Sequence, residues 1–131
     1  MAEHRLALLD TGCVIDVPRG LADIADEVVV SALSVAELAS GLAHPDPAEA
    51  AVREERYLLV LREFEPVPFG SSAAHFYGVI ARAVRRAGRS PRPRVIDLLL
   101  AATAADVGAV IVTRNPRDFA GLDDLVTVIA V

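Results

Sequence analysis

The stretch Leu6-Ala7-Leu8-Leu9-Asp10-Thr11-Gly12 decides the fold class, because a continuous apolar run ends abruptly at an acid and a turn. Four apolar residues are too few for a helix and do not alternate with polar ones, which indicates a strand buried on both faces, as in a parallel sheet. Similar apolar runs recur at residues 28–30, 67–69, 110–112 and 126–129. The sequence therefore predicts about five short, buried strands.

Helix-like segments separate these runs, at residues 34–42, 47–63, 71–87 and 95–107, with a further turn of helix after Asn115. Ser34 and Glu37 have the spacing of a capping box, and Gly41 is placed to end the same helix. Short strands that alternate with helices predict an α/β fold, a mostly parallel sheet covered on both faces. Because the chain has 131 residues and no internal repeat, we expect residues 1–131 to form a single domain.

The basic residues are all arginine, and they are unevenly distributed. The 13 arginines against 18 acids give a net charge of -5, which alone argues against a nucleic-acid partner. Six of the arginines nevertheless fall in one stretch without acids: Arg82, Arg85, Arg86, Arg89, Arg92 and Arg94. Such a stripe could be only a solvated helix face, or it could bind phosphates. With few aromatic residues and no base-reading motif, it suits single strands or RNA loops.

Cysteine and hydropathy limit where the protein acts. Cys13 is the one cysteine and the three histidines are scattered, so we expect no internal disulfide and no zinc framework, and Cys13 to be a small core residue. No apolar stretch reaches the roughly 18 residues of a membrane span, and no leader is recognisable. We therefore expect a cytoplasmic protein without membrane contact. Its hydrophobic content of 53 % predicts that some apolar surface lies in a protein interface.

Four acids follow an apolar run or open a helix-like stretch: Asp10, Glu37, Asp97 and Asp118. In an open parallel sheet the functional crevice lies beyond the carboxyl ends of the strands, where the strand order reverses. If the strands before Asp10 and before Thr113 are neighbours, both strand ends face the same crevice. Glu37 and Asp97, each near the start of a helix, could reach its rim.

Carboxylates held that close repel one another unless a cation neutralises them. Oxygen ligands without sulfur or imidazole select Mg2+, with Mn2+ as a substitute. Such a site can activate a water and polarise a phosphoryl oxygen, which is the chemistry of a phosphodiesterase.

The same residues also have purely structural readings. Asp10 could cap the following turn, and Glu37 could complete its capping box. Asp97 could complement a helix dipole, and Asp118 could belong to the capping pattern that begins at Asn115-Pro116. The hydroxyls of Thr11 and Thr113, each beside a strand end, could bind a metal water or a phosphate oxygen, or could simply pack.

Four segments in this order resemble a PIN domain, and specifically the VapC-type ribonuclease toxins of bacterial toxin-antitoxin pairs. The matching segments are Leu8-Leu9-Asp10-Thr11, Ser34-Val35-Ala36-Glu37-Leu38 with Gly41, Asp97-Leu98-Leu99-Leu100-Ala101-Ala102-Thr103-Ala104, and Thr113-Arg114-Asn115-Pro116-Arg117-Asp118-Phe119. The resemblance covers nearly the whole chain. It implies a three-layer α/β/α sandwich, with Asp10 and Asp97 as metal ligands. Glu37 and Asp118 would complete the acidic pocket, supported by Thr11, Thr113 and Asn115.

The resemblance also implies a function. It implies a Mg2+-dependent endoribonuclease that cuts structured RNA, in a transfer RNA or a ribosomal RNA loop, and leaves a 5′-phosphate and a 3′-hydroxyl. It implies a homodimer in a higher-order complex with a cognate antitoxin, which would cover an apolar groove and block the pocket, often with an inserted arginine. Two positions depart from the family pattern: Gly12 replaces the usual Ser or Asn, and Asn115 replaces a frequent Asp. Asp118 is then the only acid of its turn, so we expect one well-occupied metal site.

Other classes of protein also place acids at strand ends. A receiver domain needs a lysine at its last strand, and this chain has no lysine. A haloacid-dehalogenase-type phosphatase needs an Asp at the position of Gly12. The remaining alternative is a non-catalytic PIN scaffold that acts as a protein- or RNA-binding regulatory partner. Mg2+-dependent cleavage of RNA distinguishes it from the nuclease.

Overall fold

A parallel four-stranded sheet forms the middle layer of the fold, which a computed structural model describes for residues 2–131. The strands are β1 (His4–Leu9), β2 (Ala25–Val29), β3 (Val110–Thr113) and β4 (Val128–Ala130), in the spatial order β2-β1-β3-β4. The helices are α1 (Thr11–Ile15), α2 (Leu21–Ile24), α3 (Ala32–Ser40), α4 (Pro47–Glu63), α5 (Ser71–Arg86) and α6 (Val95–Val107). Two 3-10 helices, Arg92–Arg94 and Pro116–Phe119, precede α6 and follow β3.

The central strand β1 sends alternate side chains into two separate cores. Leu6 and Leu8 pack with residues of α5 and α6 on one face of the sheet. Ala7 and Leu9 pack with residues of α1, α3 and α4 on the other face, where Cys13 is buried as predicted. Helices on both faces of a parallel sheet confirm the three-layer α/β/α sandwich. Within residues 2–131, no helix has the length and apolar character needed to cross a membrane.

The sheet has four strands, whereas the sequence predicted about five, because residues 67–69 form no strand. Val67 makes an isolated bridge with Ser31. Val67 N donates to Val30 O and Ala32 N donates to Val67 O, each at 2.8 Å. Pro66 and Pro68 flank Val67 and have no N–H to donate, so pairing cannot extend in either direction. The segment therefore adds a single β-bridge beside the end of β2.

Helix α3 begins at Ala32, two residues earlier than predicted. Ser31 is its N-cap, and the Ser31 hydroxyl accepts a hydrogen bond from Leu33 N at 3.0 Å. Ser34 lies inside the helix, so the predicted capping box of Ser34 and Glu37 is wrong. The bridge to Val67 holds Ser31 in an extended conformation, so the helix starts directly after it. The predicted end is confirmed, since Gly41 is the C-cap residue.

The strand order reverses between β1 and β3. From β1 the chain passes to β2 on one side, then crosses through α3 to α6 and returns on the other side as β3. Leu9 and Val112 are partners in the β1–β3 register. Asp10 and Thr113, at the ends of these two strands, therefore lie side by side, which confirms the predicted adjacency.

Candidate active site

One cleft of about 380 Å3 at the carboxyl edge of the sheet contains all four predicted acids. Asp10 follows β1, Glu37 lies on α3, Asp97 lies in the first turn of α6, and Asp118 lies in the 3-10 helix after β3. The lining also includes Thr11, Gly12, Asn115 and residues 92–96. The fold thus brings together acids that are up to 108 residues apart in the sequence.

Asp10 is held by two hydrogen bonds at the floor of the cleft. Its side chain is 9 % exposed, and Oδ1 accepts from Cys13 N at 2.9 Å, so it does cap α1 as its structural reading predicted. Oδ2 accepts from the hydroxyl of Thr113, which is fully buried and itself accepts from Asn115 N at 2.9 Å. Thr113 therefore does not line the cleft but orients the acid that does.

Glu37 is exposed, yet its carboxylate has a defined partner. The Thr11 hydroxyl donates to Glu37 Oε1 at 2.5 Å and lies 2.9 Å from the hydroxyl of Ser34. The capping-box spacing predicted a cap at Ser34 and gave no indication of this contact. Its partner is 23 residues away, and no local pattern points to it.

The pKa of Asp97 shows that the four acids lie close together. Partial burial and then the negative charges of Asp118, Asp10 and Glu37 raise its pKa from 3.8 to about 6, while Arg94 acts in the opposite direction. A carboxyl surrounded by like charges holds its proton more tightly. The cleft is therefore a region of negative potential that favours either protons or a cation.

Asp118 lies on a turn that is held by a buried neighbour, Phe119, and by hydrogen bonds from Arg94. Phe119 is buried in the core beneath it. Arg94 Nη1 donates to the carbonyl oxygens of Arg117 at 3.0 Å and Asp118 at 2.7 Å. Arg94, predicted to bind RNA, therefore also joins the loop before α6 to the turn that carries Asp118.

The donor set suits a hard divalent cation, although it is not a preformed cage. Within residues 2–131, no three acidic, histidine or cysteine side chains are grouped closely enough to hold a metal ion by themselves. Mg2+ does not require such a group, since it retains several waters and binds proteins through one or two carboxylates. Carboxylates and hydroxyls line the cleft without sulfur or imidazole, which fits Mg2+ or Mn2+ and not zinc.

The predicted RNA-binding arginines fall into two groups. Arg92 and Arg94 line the cleft. The other four are exposed on the last turns of α5 and the following loop: Arg82, Arg85, Arg86 and Arg89. They lie outside the cleft, and the chain leads from them directly to its rim.

A second, apolar groove of about 420 Å3 lies between the α1 region and α4. Val17, Val52 and Leu59 line it with 46 to 55 % of their surface exposed. Ile15 lines both this groove and a neighbouring cavity of about 370 Å3, and Glu37 lines both that cavity and the acidic cleft. The apolar groove and the acidic cleft are thus joined by shared walls.

Comparisons with known proteins agree with this geometry. The family model of the PIN domain matches residues 7–125. Among solved structures, VapBC-5 of a toxin-antitoxin system from Mycobacterium tuberculosis is similar with a TM-score of 0.79 and 27 % identity, over 96 % of this chain and 97 % of that chain. FitAcB from Neisseria gonorrhoeae is similar with a TM-score of 0.75 and 28 % identity, over 94 % and 96 %. VapBC2 from Rickettsia felis, bound to a promoter DNA fragment, has a TM-score of 0.74 at 18 % identity over 96 % and 98 %, and shares the fold. No curated protein sequence matched.

Proposed function

The chain belongs to the PIN-domain family, and on that premise we propose that it is a Mg2+-dependent endoribonuclease, the toxin of a toxin-antitoxin pair. PIN domains are in general nucleases, and two of the similar structures at 27 and 28 % identity are VapBC-5 and FitAcB. The proposed substrate is structured RNA in the cytoplasm, such as a transfer RNA or a ribosomal RNA loop. The proposed assembly is a homodimer within a larger complex with its antitoxin.

The observation that carries the proposal is the convergence of four acids in one cleft. They come from four separate segments of the chain, and three of them act electrostatically on Asp97. Unneutralised charges of one sign at close range destabilise a fold. Their convergence at the switch point of the sheet supports a site that uses them.

We assign Asp10 and Asp97 to the cation, with Glu37 and Asp118 completing the acidic wall. When bound, Mg2+ would activate a water and polarise a phosphoryl oxygen of the RNA. Thr113 orients the Asp10 carboxylate by donating to Oδ2, and Arg94 holds the Asp118 turn against the cleft. The products would carry a 5′-phosphate and a 3′-hydroxyl.

Cleavage of RNA by the purified protein tests the nuclease. We expect cleavage with Mg2+ and none with excess EDTA. Asp10→Asn and Asp97→Asn should each lower the rate by at least about a hundredfold, while circular dichroism shows that both remain folded. Asp26→Asn, an exposed acid on β2 outside the cleft, is the matched control and should cleave normally. Folded wild-type protein that cleaves no RNA at any Mg2+ concentration would support the non-catalytic scaffold instead.

The exposed arginines of α5 support binding of the RNA backbone. Arginine contacts with phosphates give affinity that falls with salt and carries no base specificity. Replacing Arg85 and Arg86 with Gln should raise KM and flatten its dependence on salt, by a slope change of about 1 to 2. The rate at saturating RNA should be unchanged, because neither residue lines the cleft. A loss confined to kcat would contradict this role.

The apolar groove supports docking of the antitoxin. An apolar segment in the groove would reach the acidic cleft along the shared walls, where a basic side chain would meet the four acids. Leu59→Asp should therefore abolish inhibition by the co-expressed antitoxin without slowing cleavage. Leu58→Asp is the matched control, since Leu58 is exposed on the same helix but does not line the groove. Inhibition that survives Leu59→Asp and Val52→Asp would exclude this surface.

A further inference from the structure

A chain of hydroxyl groups links the interior of α3 to the acidic cleft. Ser34 is fully buried, and its Oγ lies 2.9 Å from Thr11 Oγ1. Thr11 Oγ1 in turn lies 2.5 Å from Glu37 Oε1, to which it donates. Thr11 is the first residue of α1, whereas Ser34 and Glu37 are both on α3. The hydroxyl chain therefore joins the two helices that form one side of the cleft.

The number of hydrogens fixes the direction of this chain. A threonine hydroxyl has one hydrogen, and an ionised carboxylate has none. Because Thr11 gives its hydrogen to Glu37, the hydrogen between Thr11 and Ser34 must come from Ser34. Each donation polarises the next, so the two hydrogen bonds strengthen one another.

Glu37 depends on this chain for its orientation. Its side chain is exposed on the surface of α3, and within residues 2–131 its carboxylate has a hydrogen bond from Thr11 alone. A free glutamate at such a position loses rotamer entropy when it is held in one conformation. The buried Ser34 leaves the Thr11 hydroxyl only one way to point its hydrogen, which favours the conformation in which Glu37 lines the cleft.

We propose that Ser34 is a positioning residue: through Thr11 it holds Glu37 in the cleft, where the acid completes the cation-binding wall. This inference rests on the proposed function as far as the cation is concerned. The hydroxyl chain itself can be tested without metal or RNA.

A double-mutant cycle in EDTA tests the hydroxyl chain. Ser34→Ala removes the donor, and Thr11→Val removes the middle hydroxyl while retaining a β-branched side chain of similar shape. Ser34→Ala should lower Tm by about 3 to 5 °C in the wild-type background. In the Thr11→Val background the Ser34 hydroxyl has already lost its partner, so its removal should leave Tm unchanged or raise it. An equal loss of Tm in both backgrounds would show that Ser34 and Thr11 are not coupled, and the proposed hydroxyl chain would be wrong.

Calorimetric titration with Mn2+, without RNA, tests the positioning role. We expect Ser34→Ala to weaken Mn2+ binding about tenfold, as is typical when a hydrogen-bonding group that orients the acids of a metal site is removed. Ser31→Ala is the matched control, because Ser31 is equally buried and caps the same helix, but its hydroxyl bonds only Leu33 N among the residues that the structure describes. It should lower Tm by a similar amount and leave the Mn2+ affinity unchanged. Ser34→Thr, which keeps a hydroxyl, should recover most of the affinity.

The outcomes separate the two proposals. If wild-type protein binds Mn2+ and cleaves RNA while Ser34→Ala binds Mn2+ equally well, the positioning role is wrong and the nuclease stands. If wild-type protein neither binds Mn2+ nor cleaves RNA, both the proposed function and the cation role are wrong. The double-mutant cycle in EDTA then still supports or refutes the hydroxyl chain.

Discussion

Replacing Asp97 with Asn should make the metal-free protein more stable while it slows cleavage by at least about a hundredfold. Burial and the charges of the three neighbouring acids raise the Asp97 pKa to about 6, above its ordinary 3.8. Between these values the folded state binds more protons than the unfolded state, so the free energy of unfolding falls as pH rises through this window. Above pH 6 the ionised carboxylate is a net cost to the folded protein. Asn has nearly the same size and removes that cost.

The magnitude follows from the size of the pKa change. A rise from 3.8 to about 6 corresponds to at most about 3 kcal/mol, at about 1.4 kcal/mol per pH unit. Asp97 is only partly buried, and solvent screening reduces this to about 1 kcal/mol. For a chain of this length we expect Tm to rise by about 3 to 5 °C at about pH 8 in EDTA. At about pH 4 the wild-type carboxyl is mostly protonated, so the difference should shrink towards zero.

Differential scanning calorimetry at the two pH values measures this effect. Asp26→Asn removes the same charge from an exposed position outside the cleft and should give no pH-dependent gain. Added Mg2+ should raise the Tm of the wild type more than that of Asp97→Asn, because only the wild type retains both proposed ligands. A variant less stable than wild type at the higher pH, or a gain that is independent of pH, would refute the electrostatic account of the cleft.

The affinity for Mn2+ should rise between about pH 5 and about pH 7, because Asp97 must be ionised to bind a cation. A calorimetric affinity that does not change with pH would show that Asp97 is not a ligand. Arg94→Ala frees the turn of Asp118, and we expect a Tm lower by about 3 to 5 °C together with slower cleavage of short RNA; an unchanged Tm would show that the two carbonyl contacts contribute nothing. Thr113→Val removes the donor to Asp10 at nearly constant shape and should cost about 1 to 3 kcal/mol of unfolding free energy in urea. An equal cost in an Asp10→Ala background, where the Thr113 hydroxyl has no side-chain partner, would argue against that hydrogen bond.

Much of the candidate site could be predicted because it follows from strand ends. Asp10 and Thr113 each end a buried apolar run, and parallel neighbouring strands bring such positions to one edge of the sheet. The placement of Asp97 and Asp118 near the starts of helical turns was also visible in the sequence. The physical signal in each case is local, since apolar periodicity and turn residues lie within a few positions of the acid.

The errors arose where a distant segment changed a local preference. Residues 67–69 have the composition of a strand, but prolines on both sides limit Val67 to one bridge. That bridge holds Ser31 extended and makes it the cap of α3, although Ser34 had the better capping-box spacing. Tertiary contacts of this kind override local propensity because their energies are comparable to those of a cap.

The sequence by itself therefore determined the elements, their parallel arrangement and the acids that meet at the switch point. Apolar periodicity and strand-end chemistry are properties of consecutive residues, which explains why they can be read in order. Only the tertiary structure decided which hydroxyl orients which acid, through Thr113 to Asp10 and through Ser34 and Thr11 to Glu37. These hydrogen bonds join residues 23 to 103 positions apart, and their formation depends on distances of a few ångströms that only the packed helices and strands establish.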